Sequence, residues 1–113
     1  MMTMFLLYLL AAIFEIAGCY AIWAWLRLDY SPWLVLPALV LLAGFAAILT
    51  LVDSPLAGRA YAAYGGIYVT SSLLWLFLVE QQLPDRWDLI GGAVTLIGAL
   101  IIFYGPRAEI ISG

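Results

Sequence analysis

The sequence is dominated by four apolar stretches of about twenty residues each, separated by short polar segments. A hydrocarbon core of about 30 Å requires roughly twenty apolar residues in a helix that crosses it, so each stretch can span a membrane. The chain has 113 residues, of which 67% are hydrophobic and 10% are charged, so four spans use most of its length. We therefore predict a single all-α transmembrane domain covering residues 1–113. Its helices are predicted at residues 3–26, 32–52, 60–79 and 87–104.

The short connections between these stretches determine the topology. Ser31 and Pro32 offer a capping residue followed by a proline in the first helical turn, and Gly105 with Pro106 ends the last stretch. Connections of about five to seven residues force neighbouring helices to run antiparallel. The prediction is therefore an up-down-up-down bundle with both termini on one membrane face.

The charged and reactive side chains exclude several classes of function. With a net charge of −3 and four Lys and Arg residues in total, the chain lacks the basic cluster that nucleic acid requires. One cysteine and no histidine exclude an intrachain disulfide and histidine-based metal or triad chemistry. Neither a pair of nucleophile and base nor a phosphate-binding loop is evident. We expect no enzymatic activity, no cofactor and no metal.

The arginines leave the membrane orientation open. Arg59 and Arg107 fall on the predicted face of the termini, whereas Arg27 and Arg86 fall on the opposite face. Since the excess of positive charge sets orientation, two against two is a tie. Either other features decide one orientation, or the chain inserts both ways and identical copies pair antiparallel.

Glu15 lies in the middle of the first stretch, whereas the other charged residues fall at or beyond the ends of the predicted helices. An acidic residue at the centre of a membrane helix costs about 2.5–3.5 kcal/mol on insertion scales, so such residues mark pathways for ions, protons or substrates. A carboxyl group can also exchange a proton. The alternative is a structural role, in which protonated Glu15 forms a hydrogen bond to a neighbouring helix.

Small residues surround Glu15 on its face of the predicted helix. Positions three, four and seven residues away share that face, and they are Tyr8, Ala11, Ala12, Gly18, Cys19 and Ile22. Small side chains let a helix or a ligand come close, so Gly18 and Cys19 are candidate binding residues beside Glu15. Ordinary close packing of membrane helices favours the same residues.

The third stretch begins with an aromatic stripe of Tyr61, Tyr64 and Tyr68 at positions i, i+3 and i+7. Aromatic faces can hold an organic cation, and a desolvated cation–π contact contributes about 2 kcal/mol. The three tyrosines are therefore candidate substrate-binding residues. The alternative is an interfacial aromatic belt, which fits Tyr61 best because it lies near the helix start.

The fourth stretch presents Gly91, Thr95 and Gly98 on one face, and Thr95 with Ala99 continues the small-residue pattern. Small residues at this spacing favour close association of membrane helices. The face either seals the monomer or joins two monomers.

Three segments carry a resemblance to a known family: FEIAGC at residues 14–19, GRAYAAYGGIY at 58–68 and WDLIG at 87–91. Over nearly its whole length the chain resembles the YnfA-like family of bacterial inner-membrane proteins. Through that family it is similar to the small multidrug resistance transporters. These share four helices, a helix 1 glutamate followed three residues later by glycine, an aromatic residue near the start of helix 3, and a helix 4 that contains glycine and forms the dimer. At the position of Tyr64 the multidrug transporters carry tryptophan, and their lysine near the end of helix 1 has no match here.

The resemblance implies a multi-pass protein of the bacterial inner membrane that works as an antiparallel homodimer. By position, it makes Glu15 the site shared by protons and substrate, and Tyr61 and Tyr64 the aromatic walls. The segment from Gly98 to Ile102 becomes the dimer contact.

The function expected from the residues and the resemblance together is proton-coupled export of small organic cations. Four helices cannot easily enclose both a substrate and an alternating path, so a dimer with two Glu15 carboxylates is expected. The expected partners are a cationic small molecule, protons and membrane lipid. The alternative is a non-transporting membrane partner or assembly protein in which Glu15 is structural.

Overall fold

The computed structural model describes residues 2–54 and 56–106, and all regular structure in those residues is helical. This part of the chain forms four α-helices, and a 3₁₀ turn, Pro32–Leu34, leads directly into the second. All four segments, the second taken with its 3₁₀ turn, are long and apolar enough to cross a membrane. The predicted class, an all-α membrane protein with four transmembrane helices, is confirmed. The helices are α1 (Met2–Arg27), α2 (Val35–Leu49), α3 (Ala57–Leu78) and α4 (Arg86–Tyr104).

The start of the second span follows from its capping residue. The hydroxyl oxygen of Ser31 accepts a hydrogen bond from the Trp33 backbone N–H at 3.2 Å. Pro32 occupies the first helical position, where its missing N–H has no intrahelical partner to lose. The helix start predicted at Pro32 is therefore a 3₁₀ turn that continues into α2.

The end of α2 lies at Leu49, earlier than the limit of residue 52 expected from hydrophobicity. After Leu49 the backbone tightens, and the Leu51 N–H donates to the Ile48 carbonyl at 3.0 Å, a bond of the 3₁₀ type. The Thr50 hydroxyl donates to the Ala47 carbonyl at 2.6 Å, which satisfies one of the exposed carbonyls at the helix end. Apolar residues therefore continue beyond the helix, as part of a turn.

Two helices end at a residue in the left-handed region that is not glycine. Asp29, after α1, has a φ of 60°, and Gln81, after α3, has a φ of 58°. After α1 the Tyr30 N–H donates to the carbonyl of Ala24, six residues earlier, at 3.0 Å, and after α3 the Gln82 N–H donates to the carbonyl of Leu76, also six residues earlier, at 3.0 Å. These caps stop both helices just before their connecting segments.

The first turn of α4 is held by a capping box. The Asp85 carboxylate accepts a hydrogen bond from the Asp88 N–H at 2.8 Å, and the Asp88 carboxylate accepts one from the Asp85 N–H at 3.1 Å. Two backbone donors that the helix leaves unused are thereby satisfied, and negative charge lies at the positive end of the helix dipole.

Replacing Asp85 with alanine is expected to reduce the free energy of unfolding by about 1 kcal/mol, since the capping acceptor is lost. Denaturation in mixed micelles, followed by circular dichroism, measures this change. Asp85→Asn is the matched control, because asparagine retains a capping oxygen and should remain close to the wild-type stability. Equal stability of the alanine and asparagine variants would contradict a capping role.

The chain divides into two compact units, one containing α1 and α2 and the other containing α3 and α4. In the first unit, glycines bring the two helices close together. A Cβ atom added to Gly18 would lie 2.9 Å from Cγ of Leu42, and one added to Gly44 would lie 2.8 Å from ring carbons of Phe14. Phe14 precedes Gly18 in α1, but its partner Gly44 follows Leu42 in α2, so the two helices run antiparallel.

The second unit repeats this arrangement with different residues. A Cβ atom on Gly66 would collide with Cβ of Ala99, and one on Gly92 would lie 2.9 Å from Cδ1 of Leu73. The pairs again run in opposite directions along α3 and α4. Close approach through small residues is the usual way in which membrane helices gain van der Waals contact, because lipid provides no hydrophobic drive between them.

Candidate functional site

Glu15 lies midway along α1, and its side chain is partly buried. Among the described residues it is the only charged side chain inside a helix and outside that helix's first or last turn. The position predicted for Glu15, at the centre of an apolar span, is therefore found in the fold. Its role in binding protons or substrate stays a prediction.

The face of α1 around Glu15 is buried on one side and open on the other. One turn before Glu15, Ala11 and Ala12 are both 0% exposed. One turn after it, Gly18 is buried whereas Cys19 is exposed. The carboxyl group thus lies at the border between the packed and the open surface of α1.

Gly18 contributes to the packing of α1 on α2. In addition to its approach to Leu42, a Cβ atom at this position would lie 3.3 Å from the backbone oxygen of Ala38. Phe14, which meets Gly44, lies one turn earlier on the same face. Glu15 is therefore next to the contact between α1 and α2, and the proposed binding role of Gly18 and Cys19 stays a prediction.

The predicted aromatic stripe on α3 divides into a buried part and an exposed part. Tyr64 is 6% exposed and Tyr68 is partly buried, and their ring centroids lie 6.0 Å apart with an interplanar angle of 45°. Tyr61 is 55% exposed, near the helix start. This position is consistent with the interfacial alternative for Tyr61, whereas Tyr64 and Tyr68 form a joined aromatic surface.

The small residues of α4 lie on two different sides of the helix. Ala99 and Gly92 face α3, whereas a Cβ atom added to Gly91 or Gly98 would meet nothing within 4 Å. Thr95 is exposed, and its hydroxyl donates to the Gly91 carbonyl at 2.8 Å. Ala99 therefore packs α4 against α3, whereas the side that carries Gly91 and Gly98, about 100° around the helix, has space for another helix. Ile102, the last of the predicted dimer contacts, is partly buried.

A groove of about 460 Å³ opens on the second unit, between α3, α4 and the segment that joins them. Leu73, Phe77 and Leu89 are among its lining residues, and none of the lining residues is charged. Thr70 also lines it, but the Thr70 hydroxyl donates to the Gly66 carbonyl at 3.0 Å. The groove therefore lacks an ionic group for an organic cation.

Two arginines lie over tryptophan rings at helix ends. The Arg27 guanidinium carbon is 4.6 Å from the ring centroid of Trp23 at the end of α1, and that of Arg86 is 4.9 Å from Trp87 at the start of α4. Such pairs suit the boundary between lipid and water, where an aromatic ring and a charge are both favourable. Arg107, which was predicted on the same membrane face as Arg59, lies outside the described residues.

Metal ligands are not clustered in the part of the chain that the structure describes. Within residues 2–54 and 56–106, no group of three His, Cys, Asp or Glu side chains could hold a metal ion.

Sequence reasoning missed Ser71, which is buried on α3 although it carries a hydroxyl group. Its spacing from Tyr64 and Tyr68 was a readable signal, since the three residues share a helix face.

The four apolar helices and the membrane-centred carboxyl group define an integral membrane protein. Residues 1–108 match the family model described as "Uncharacterised BCR, YnfA/UPF0060 family". A curated relative from Brucella anthropi, named UPF0060 membrane protein, is 54% identical over 104 residues, which cover 92% of this chain and 98% of the relative. The chain belongs to the YnfA/UPF0060 family of membrane proteins, which confirms the predicted family. No solved structure matches the chain.

Proposed function

We propose that this protein exchanges protons for small organic cations across the bacterial inner membrane and so exports the cations. The observation that carries the proposal is Glu15, a partly buried carboxyl group at the centre of an apolar span. A charge at this depth costs several kcal/mol, so charged residues at the centre of a span are mainly those that line pathways for ions, protons or substrates. The resemblance to small multidrug resistance transporters supplies the direction and the class of substrate.

The proposed mechanism is competition for one carboxyl group. Ionised Glu15 binds the cation, and protonated Glu15 does not, because protonation removes the negative charge. Binding of either ligand therefore releases the other. A protein that opens alternately to the two sides then moves protons and cations in opposite directions.

The aromatic surface of α3 is the proposed second element of cation recognition. The rings of Tyr64 and Tyr68 are in contact and at least partly buried, so a cation on their faces would lose much of its water. Desolvation is the condition in which cation–π attraction is strongest. Tyr61 is the outermost of the proposed contacts, where it would receive the cation at the membrane surface.

The active form is proposed to be a homodimer joined through the open side of α4, with Gly91, Thr95, Gly98 and Ile102 at the contact. The empty space beside Gly91 and Gly98 supports this surface, because it admits the backbone of another helix. Two arginines are predicted on each membrane face and favour neither orientation, which is consistent with an antiparallel pair of identical chains.

Replacing Gly98 with leucine is expected to weaken the dimer at least tenfold and to leave the fold of each chain intact. The Cβ atom of the new side chain meets nothing within 4 Å in the monomer, and the rest of the side chain would fill the space that the partner helix would occupy. Energy transfer between labelled copies in liposomes measures the association. Gly65→Leu is the matched control, since a Cβ atom on Gly65 also meets nothing within 4 Å but lies on α3, outside the proposed contact. An unchanged dimer in the Gly98 variant would place the contact elsewhere.

Transport in liposomes tests the proposed function. Purified protein is reconstituted with an imposed pH gradient, and the movement of benzyltrimethylammonium, which has no proton to carry, is followed. The cation should move against its own gradient while protons move the other way. Movement that is independent of the pH gradient, or no movement at all, contradicts the proposal.

A further inference from the structure

The apolar groove of the second unit runs along its two helices rather than across them. Its lining extends on α3 from Thr70 to Phe77 and on α4 from Leu89 to Leu96. At a rise of about 1.5 Å per residue, each stretch is about 10 Å long. One lipid leaflet fills half of a hydrocarbon core of about 30 Å, so the groove covers about two thirds of the depth of one leaflet.

One end of the groove lies at the membrane surface. Leu83 and Pro84 line that end and belong to the segment between α3 and α4, and Leu83 is 73% exposed. The opposite end, at Thr70 and Leu96, lies near the middle of both spans. The groove therefore leads from the level of the lipid headgroups into the hydrocarbon core.

The lining of the groove suits a hydrocarbon chain. Its residues are apolar except Thr70, whose hydroxyl is satisfied by the Gly66 carbonyl of its own helix at 3.0 Å. Gly91 and Gly98, which belong to the proposed dimer contact, are not among the lining residues. An acyl chain of a lipid has the direction, the length and the chemistry that this groove accepts.

Two oppositely charged residues begin the face of α4 that lines the groove. Asp85 precedes Leu89 by four residues and Gly92 by seven. Arg86 precedes Leu89 by three residues and Ala93 by seven. Residues at these spacings share a helix face. The end of the groove at the headgroup level therefore carries a negative and a positive group side by side.

Both charged groups keep hydrogen-bonding capacity for a ligand. The Asp85 carboxylate accepts the Asp88 N–H through one oxygen, at 2.8 Å, and its second oxygen is also an acceptor. The Arg86 guanidinium carbon lies 4.9 Å from the ring centroid of Trp87, and a guanidinium has five N–H donors, more than one ring contact uses. Neighbouring opposite charges fit a headgroup that itself joins an ammonium group to a phosphate.

The net charge at this end of the groove disfavours an anionic lipid. Residues 80–88 contain three carboxylates and one guanidinium, so their net charge is −2. Asp85 and Asp88 also occupy the positive end of the α4 dipole, where a phosphate would otherwise be favoured. A headgroup that adds a negative charge without a positive one is therefore repelled.

We propose that this groove is a binding site for one phospholipid with an ethanolamine headgroup. One acyl chain lies in the groove, the Arg86 guanidinium donates hydrogen bonds to the phosphate, and the Asp85 carboxylate accepts one from the ammonium group. A choline headgroup has the same charges but no N–H donor, and a glycerol headgroup has no positive charge. The site therefore selects ethanolamine. This assignment goes beyond the proposed transport function and does not depend on it.

Lipid binding measured by native mass spectrometry tests the headgroup. The detergent-purified protein is titrated with phosphatidylethanolamine, phosphatidylcholine and phosphatidylglycerol that have identical acyl chains. We expect the ethanolamine lipid to bind about tenfold more tightly than either of the others, the change expected for a hydrogen bond between charged groups. Equal affinities for the three headgroups, as for lipids that merely surround the protein, or tightest binding of the glycerol lipid would overturn the proposal.

Two substitutions separate the charged contacts. Asp85→Asn keeps the capping oxygen of α4 but removes the charge, so the preference for ethanolamine over choline should fall about threefold, because a charged acceptor makes a hydrogen bond about twice as strong. Arg86→Gln should instead weaken both of these lipids equally, by about tenfold, since they share the phosphate. Unchanged lipid binding in both variants would overturn the assignment of the headgroup.

A substitution inside the groove tests the position of the acyl chain. Ala93→Phe fills space beside Leu89 and should weaken binding of the ethanolamine lipid several-fold. Ile90→Phe is the matched control, because Ile90 is exposed at a similar depth of α4 but does not line the groove, and this variant should bind as the wild type does. Circular dichroism verifies the helical content of every variant. Unchanged binding in Ala93→Phe, or an equal loss in Ile90→Phe, would exclude the groove as the site.

Discussion

Replacing Glu15 with glutamine should abolish proton-coupled exchange of cations while leaving the protein folded. Glutamine has nearly the same shape and can still form hydrogen bonds, but it neither ionises nor exchanges a proton. The loss should be complete, because within the described spans the other carboxyl group, that of Asp88, lies in the first turn of α4 and belongs to its capping box. Reconstituted protein under a pH gradient, with benzyltrimethylammonium as the probe, measures the effect.

Glu80→Gln is the matched control for this substitution. Glu80 carries the same carboxyl group but lies exposed just after α3, where it can be solvated by water. It should retain at least half of the wild-type rate. If the Glu15 variant retained exchange, Glu15 would be structural, as in a non-transporting membrane partner. Equal losses in the two variants would point to a general effect of charge.

Replacing Gly66 with alanine should destabilise the unit formed by α3 and α4. The new methyl group would collide with Cβ of Ala99, and it would lie 3.3 Å from Cα of Leu96 and 3.4 Å from the backbone oxygen of Thr95. Backbone atoms cannot move aside as a flexible side chain can, so we expect a cost of about 1–3 kcal/mol from overpacking. Denaturation in mixed micelles, followed by circular dichroism, measures the free energy of unfolding.

The neighbouring glycine provides the control. A Cβ atom on Gly65 meets nothing within 4 Å, so Gly65→Ala should be neutral or stabilising by up to about 1 kcal/mol, because alanine favours the helix. Combining Gly66→Ala with Ala99→Gly moves the methyl group to the other helix and should restore much of the lost stability. Equal effects of the two single substitutions would contradict the contact between Gly66 and Ala99.

The number and type of helices could be predicted from the sequence because length and apolarity alone decide whether a segment can span a membrane. Apolarity does not determine where a helix ends. Apolar residues continue past Leu49, and only the backbone bonds show that the helix has already stopped. The central position of Glu15 was also predictable, since it depends only on the extent of the first span.

The faces of the helices could not be predicted in the same way. In a soluble protein an apolar stripe marks the side that packs, whereas a transmembrane helix is apolar all round and its pattern marks no side. Gly91 and Gly92 are adjacent and chemically identical, yet Gly92 faces α3 and Gly91 faces open space. The same limit applies to the adjacent residues Thr70 and Ser71, of which Thr70 is exposed and Ser71 is buried.

Titration of cation binding against pH tests the central claim most directly, namely that protons and cations compete for Glu15. The affinity of wild-type protein for benzyltrimethylammonium should fall as the pH falls, and binding in weak buffer should release protons. Glu15→Gln should show neither effect and should bind the cation poorly. An affinity that is constant from acid to alkaline pH, or a glutamine variant that binds as tightly as the wild type, would contradict the claim.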